Sequence, residues 1–352
     1  MGVLVVAMAL AVFYAGRDSI SSPSQGPSGG GSGGAGPSSG APSATPGVAA
    51  KVNPGLVDVN TQLSLNTGTA AGTGMVVGSS GEVLTNNHVV EGATSVSVTD
   101  VGNGRTYSAT VVGTDKTNDI AVLHLSQASG LTTVAIGDSS KLAVGDAVTA
   151  IGNAGGTGGT PTVTTGDVTA LNQAITASDE LDGSAEQLTG LVQTDASLQP
   201  GDSGGPLVDN SAQVVAIDTA ASPGFQFQSG ATASYAIPID QAISIARQIE
   251  AGNASSTIHI GPAALLGVVI QPSQSVSGAF VKSVESGSPA SQAKITPGDV
   301  ITSLGGQNVG SSTTLSKLMY PHHPGDSVKV GWVDPSGQQH SATVHLATGP
   351  AA

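Results

Sequence analysis

One serine stands between an acid and two glycines in the run Gln199-Pro200-Gly201-Asp202-Ser203-Gly204-Gly205-Pro206-Leu207. A nucleophilic serine needs a base to take its proton and N–H donors aimed at the oxyanion that develops on the attacked carbonyl. Small residues around Ser203 let the backbone N–H groups of Gly201 and Ser203 point at one spot with no side chain in the way. His88 stands out among the seven histidines as candidate base, because Asn86-Asn87-His88 forms a turn-like end to an apolar strand. Asp119, at the mouth of the apolar run Ile120-Ala121-Val122, is the candidate carboxylate that orients it. Each residue alone has a plainer reading, as a turn serine, a structural histidine or a strand-start cap. Together, in the order His, Asp, Ser, they point to acyl transfer through a triad.

These residues need elements to hold them. Between about residues 53 and 239 the chain alternates short apolar runs with Gly, Asn, Asp and Ser. Examples are 74–87, 95–100, 107–113, 120–125, 147–152, 161–171, 206–220 and 235–239. This spacing predicts many short strands in an all-β barrel or sandwich, with hairpin turns at Ser79–Glu82 and Asp209–Gln213. The period then changes. Ala242, Ile243, Ala246 and Ile249 fall at helical spacing, with Asp240 as N-cap and Gly252 as stop. A second unit follows, read as strands over 265–270, 278–284 and 299–304, a short helix from Ser288, a helix over 312–320 and two final strands.

The composition fits this reading. The chain has 352 residues, of which 38% are hydrophobic, only 10% are charged and 50 are glycine. That suits short strands and tight turns. A net charge of −14 with ten Lys and Arg argues against a nucleic-acid partner. The absence of cysteine excludes disulfides, thiol catalysis and cysteine-type zinc sites. Residues 2–16, an unbroken apolar run, fit the hydrophobic region of a signal peptide or a signal anchor. The Ser/Gly/Pro-rich stretch 19–47 reads as a flexible linker. The domain reading is therefore 1–18 signal segment, 19–47 linker, 48–254 catalytic domain and 255–352 a second domain.

The motifs around His88, Asp119 and Ser203 together resemble the chymotrypsin-like fold in its bacterial HtrA form. The second unit, with Leu265-Leu266-Gly267-Val268-Val269 and Ile295-Thr296-Pro297-Gly298-Asp299, resembles a bacterial PDZ domain. The overall layout looks most similar to the secreted mycobacterial PepA type. The resemblance spans about 48–350. It implies a mainly β protein, with two six-stranded barrels, the triad in the cleft between them, and a mixed β/α PDZ domain. It implies that Ser203 attacks a peptide carbonyl, that His88 shuttles the proton and that Asp119 holds the imidazole. Gly201, Asp202 and Ser203 would line the oxyanion hole. No cofactor or metal is called for. Activity should rise with pH through about 6–7, where an ordinary histidine loses its proton.

In trypsin-like enzymes the primary pocket has its floor six residues before the nucleophile, here the uncharged Ser197. Its walls would come from Thr219, Ala220 and Ala221 and from Tyr235, Ala236 and Ile237. Cleavage after small or medium aliphatic residues follows. Asp218 stays open: facing the pocket it would favour a basic residue, and facing solvent it would do nothing. The segment 172–190 reads as a long solvated polar loop, and the resemblance makes it a candidate for gating the site. Its acids Asp179, Glu180, Asp182 and Glu186 match no calcium-loop spacing. In the PDZ-like unit, Leu265, Leu266, Gly267 and Val268 would bind a peptide's terminal carboxylate, with the adjoining strand extending onto the peptide. His322-His323 reads as a turn, not a metal site. The partners are then protein substrates and peptide C-termini, with the membrane met only through the N-terminal segment. The setting is extracytoplasmic, secreted or membrane-anchored. The N-terminal part of the barrel domain lacks the aromatic residues that hold HtrA trimers, which leaves monomer and trimer both open. The competing reading is a PDZ-based peptide-binding adaptor or chaperone on a latent or inactive protease scaffold. Ser203→Ala, losing activity but keeping peptide binding, separates the two functions.

Overall fold

The computed structural model describes residues 46–63, 68–179, 185–219, 225–227, 233–272 and 277–351. The apolar N-terminal run, nearly all of the linker, Glu180, Asp182, Ala220 and Ala221 lie outside the described residues.

Helix α1 (Pro46–Val52) leads into β1 (Leu56–Leu63), β2 (Thr69–Gly78) and β3 (Glu82–Thr85). A single helical turn, α2 (Asn87–Val90), precedes β4 (Ala93–Asp100), β5 (Thr106–Asp115) and β6 (Ile120–Leu125). These strands pair in the order β5-β4-β1-β2-β3-β6, and β5 also bonds to β6, which closes a six-stranded barrel. The second barrel uses β7 (Ala147–Gly152), β8 (Thr162–Asp179), β9 (Ala185–Thr194), β10 (Pro206–Val208) and β11 (Val214–Thr219). β12 (Phe225–Phe227) lies on the edge of β8, and β13 (Ser234–Pro238) completes the ring β8-β7-β10-β11-β13-β9, again closed by β8 on β9. Closure leaves neither ring with an open edge.

Helix α3 (Ile239–Glu250) buries Ile239, Ala242, Ile245, Ala246 and Ile249 along one stripe. It packs on β5, β6 and β11, so it braces both barrels. The core it enters also holds Leu56, Met75 and Ile120 from the first barrel and Ile151, Ile217 and Ile237 from the second. At roughly 1.5–3 kcal/mol for each such side chain buried, this shared core is what fixes the barrels against each other. Pro238, not Asp240, stands at the N-cap. Asp240 instead accepts from the Ser139 hydroxyl at 2.8 Å.

Two other elements depart from the sequence reading. Residues 172–179 and 185–190 are not loop but the ends of β8 and β9 in a long ribbon, with Ile175 opposite Leu188. Their polarity hid an alternation in which those two apolar residues turn inward. β14 (Ile258–Ile260), assigned above to the second domain, pairs with β5 of the first barrel. Ile258 is drawn into the core shared by the barrels.

The C-terminal unit contains β15 (Ala264–Leu265), β16 (Val268–Pro272), β17 (Ala279–Val284), α4 (Pro289–Gln292), β18 (Val300–Leu304) and β19 (Gln307–Asn308). It continues through α5 (Ser312–Met319), β20 (Ser327–Val333), β21 (Gln339–His345) and β22 (Ala347–Thr348). Ser288 and Ser311 cap α4 and α5 by accepting from the N–H groups of Ser291 and Thr314. The sheet order is β16-β17-β18-β20-β21, over a core that includes Val281, Leu304 and Trp332.

Among the described residues, this unit is joined to the first barrel in two places. His259 on β14 is 3% exposed, with Nδ1 2.8 Å from the Tyr320 carbonyl and its ring stacked on His323 at 4.8 Å. The Tyr320 hydroxyl donates to the Thr257 carbonyl at 2.8 Å. Farther along, the Ala351 carbonyl accepts from Gly92 N–H at 3.1 Å, and Ala351 N–H donates to the Ala93 carbonyl at 2.9 Å.

Candidate active site

Asp119 sits in a turn that its own sequence builds. Asp115 accepts from the Asn118 backbone N–H at 3.1 Å and from its side-chain amide at 2.9 Å, which folds the chain back between β5 and β6. Asp119 takes up a left-handed φ of 54°, a conformation aspartate tolerates better than most residues. The residue is 1% exposed. Its carboxylate accepts from His88 N–H at 3.0 Å and lies 2.9 and 3.0 Å from His88 Nδ1. Thr219, at the end of β11, donates its hydroxyl to the same carboxylate at 3.2 Å. The Asn86 side chain donates to the Asp119 carbonyl at 2.9 Å. His88 is carried on α2 rather than on a strand end. The helix is tied to the Asp119 turn by a Glu91–Lys116 ion pair. With Nδ1 facing the carboxylate, the imidazole presents Nε2 for proton transfer.

Ser203 comes from the other barrel, and Thr73 on β2 holds it in place. Thr73 N–H donates to the Ser203 carbonyl at 2.8 Å, and the Thr73 hydroxyl donates to the Gly201 carbonyl at 2.8 Å. The same hydroxyl accepts from Asn153 N–H at 2.8 Å. The Thr85 hydroxyl, two residues before α2, donates to the Thr73 carbonyl at 2.7 Å. Gly72 sits between the two groups: a Cβ there would meet Val89 at 2.7 Å and the Ser203 carbonyl at 3.1 Å. The strand that precedes His88 and the loop that carries Ser203 are therefore bonded to one residue.

The glycines around Ser203 have a physical reason. Gly201 has φ 103° and lies so close to Asn153 that a Cβ would stand 2.2 Å from its carbonyl. Gly204 has φ 83°, and a Cβ there would lie 2.1 Å from the Thr73 carbonyl. Both conformation and space demand glycine. Asp202 is a correction to the oxyanion reading. Its N–H donates to the Gln199 carbonyl at 3.0 Å and belongs to the turn. Its carboxylate accepts from Gln199 N–H at 2.8 Å and from the Thr162 hydroxyl at 3.3 Å. Burial nonetheless pushes that carboxyl above the usual range.

The residues expected to wall a primary pocket divide. Ser197 is exposed. Thr219 serves Asp119. Tyr235 on β13 lies opposite Thr219. Ala236 and Ile237 face apolar cores, one inside the second barrel and one between the barrels, which removes them from a pocket wall. Asp218 does not face solvent: it is 0% exposed. A cavity of about 510 Å³, lined by Val77, Glu82, His124 and Glu250 among others, includes none of these residues.

In the C-terminal unit, the Leu266 carbonyl accepts from Ala290 N–H at 2.9 Å and the Gly267 carbonyl accepts from Glu285 N–H at 2.9 Å. These bonds anchor the turn before β16. Leu265 lies apart from it, in β15 opposite Ala347. β16 is the end strand of its sheet, bonded to β17 on one side. His322 and His323 both contact Asp326 in a turn, and no metal-holding cluster occurs among the described residues.

Comparison with known proteins places this architecture. Residues 72–217 match the trypsin-like peptidase domain and residues 264–343 the PDZ domain. "Serine protease Do-like HtrA" of Lactococcus lactis subsp. cremoris is 32% identical over 310 residues, covering 84% of this chain and 74% of the relative. The chain belongs to the HtrA family of serine proteases. A second HtrA relative, "Serine protease PepD" of Mycobacterium tuberculosis, is 37% identical over 316 residues, 85% of this chain and 65% of that one. "Periplasmic pH-dependent serine endoprotease DegQ" of Escherichia coli is 35% identical over 74% of this chain and 56% of its own length. The first relatives matched are thus covered over less than two thirds of their lengths. Among solved structures, "HtrA-type protease AlgW with tripeptide" covers 87% of this HtrA chain and 97% of its own, at 26% identity and a TM-score of 0.49.

Thr73 escaped the sequence reading. A threonine inside an apolar strand carries no mark of function, and its partners lie at positions 153, 201 and 203.

Proposed function

We propose that this HtrA-family chain is an extracytoplasmic serine endopeptidase that works through His88, Asp119 and Ser203. Ser203 Oγ attacks the peptide carbonyl. His88 accepts the proton at Nε2 and returns it to the leaving amine, and water then hydrolyses the acyl-enzyme. Asp119 keeps the imidazole in the tautomer with Nδ1 protonated and stabilises the imidazolium, the division of labour common to Ser-His-Asp triads. Gly201 and Ser203 N–H groups receive the oxyanion. The observation that carries the reading is the buried His88–Asp119 pair, completed by Thr219 and joined through Thr73 to the Ser203 loop.

The uncharged Ser197 supports cleavage after small or medium aliphatic residues. The open edge of β16 and the anchored turn at 266–268 support capture of a peptide C-terminus, by strand addition and backbone N–H groups. The periplasmic naming of relatives such as DegQ supports the extracytoplasmic setting. Labelling with a fluorophosphonate tests the central claim. Wild type should label and Ser203→Ala should not; equal labelling, or none, refutes an activated Ser203.

A further inference from the structure

Asp218 lies on β11 with a carboxyl that the mechanism above does not use. It is 0% exposed, and neither carboxyl oxygen has a hydrogen-bond partner among the described residues. Its backbone is bound to the nucleophile loop twice. Gly204 N–H donates to the Asp218 carbonyl at 2.9 Å, and Asp218 N–H donates to the Gly205 carbonyl at 2.8 Å. The next residue, Thr219, holds Asp119. Asp218 therefore joins the two halves of the triad through its own main chain.

Among the described residues, the groups around its carboxyl offer nothing to balance a charge. The 199–205 loop contributes Asp202, a second acid. β10 contributes no titratable side chain, and β13 contributes only Tyr235. The charged residues of α3, Asp240, Arg247 and Glu250, are all exposed. An ionised carboxylate without water, donor or cation costs several kcal/mol, far more than the neutral acid. Burial first, and the Asp202 charge second, push the Asp218 carboxyl well above the ordinary range.

We propose that Asp218 is a positioning residue that acts as the neutral acid: while it is protonated the main-chain bonds of β11 to Gly204 and Gly205 stay in place, and its ionisation displaces that contact and with it Ser203. The inference rests on the protease reading. It gives this site an alkaline limit that the triad alone does not impose. Below that limit the carboxyl is a small polar filler of the second barrel. Above it, two like charges share one dry site, and the loop moves to let water reach them.

The test compares the full chain with Asp218→Asn, an uncharged side chain of nearly the same shape. The rate of fluorophosphonate labelling is followed across pH about 5–9, a range that starts above the ordinary carboxylate values and spans the ordinary imidazole value. Wild type should lose rate on the alkaline side, by up to about tenfold per pH unit beyond the limit, and the variant should stay level. Superimposable alkaline limbs overturn the proposal. Thermal melts in a Ser203→Ala background read the ionisation without activity. The folded state holds this proton more tightly than the unfolded chain does. The group's stabilisation is therefore complete below the ordinary carboxylate range and is lost as pH rises toward the raised value. Melting temperature should fall with pH more steeply for wild type than for Asp218→Asn, and parallel melts overturn the proposal. If Asp218→Asn does not fold, Asp202→Asn replaces it: removing the like charge should move the alkaline limb to lower pH than in wild type, and an unmoved limb refutes the coupling. Absence of labelling in every variant defeats the protease reading, and the melts still decide whether Asp218 ionises as stated.

Discussion

Replacing Thr73 by valine removes one hydroxyl and keeps the branched shape. Thr73 is 1% exposed, so water cannot take the place of what is lost. Two backbone groups are orphaned at once, the Gly201 carbonyl and the Asn153 N–H. Each buried unsatisfied group costs about 1–3 kcal/mol. Even the lower bound of about 2 kcal/mol, set against the aligned loop, corresponds to about a 30-fold loss in rate. The loop has an escape: Gly201 can swing its carbonyl to solvent, and its N–H then leaves the position proposed above to receive the oxyanion. Thr73→Val should therefore lower the second-order rate of fluorophosphonate labelling by about 30-fold or more. Thr73→Ser, which keeps the hydroxyl, should remain within about threefold of wild type. Melting curves separate a loosened loop from a lost fold. Labelling of Thr73→Val within about threefold of wild type would refute the argument that this hydroxyl positions the Ser203 loop.

Other changes have equally definite outcomes. Asp119→Asn should leave the fold intact and lower kcat by about 10³–10⁴, measured on a peptide substrate, because the amide favours the wrong imidazole tautomer. Gly204→Ala should abolish labelling and lower the melting temperature, since the new Cβ meets the Thr73 carbonyl in a left-handed backbone; a fully active variant would contradict that geometry. Tyr320→Phe should weaken the attachment of the C-terminal unit by about 1 kcal/mol, the worth of one hydrogen bond. Limited proteolysis near residue 261 would read it as faster cleavage, while labelling of Ser203 stays unchanged.

His88 and Asp119 were legible because local turn chemistry marks them. Each stands beside asparagine at the junction of an apolar run and a turn, and the structure brings the two together there. The Gly201–Gly205 run was legible because only close backbone approach needs so many glycines. Thr73 was not legible, because its role exists only when two barrels meet. The direction of Asp218 was hidden for another reason. β11 is buried at all six positions, between the barrel interior on one face and α3 on the other. A strand covered on both sides has no alternation from which to read a face. In β8 and β9 the difficulty is the reverse, because polar side chains on an extended ribbon look like a loop. β14 reads into the wrong unit because three residues carry too little pattern to show which sheet they join.

The two attachments of the C-terminal unit have a mechanical consequence. A body held at one point swings freely on its tether. Held at two, it keeps mainly rotation about the line through both. Here one pivot is the His259–Tyr320 contact and the other is the Ala351 bridge to Gly92 and Ala93. A peptide that pushes on β16 or α5 therefore applies a torque, and the far pivot receives it two residues beyond the helical turn that carries His88.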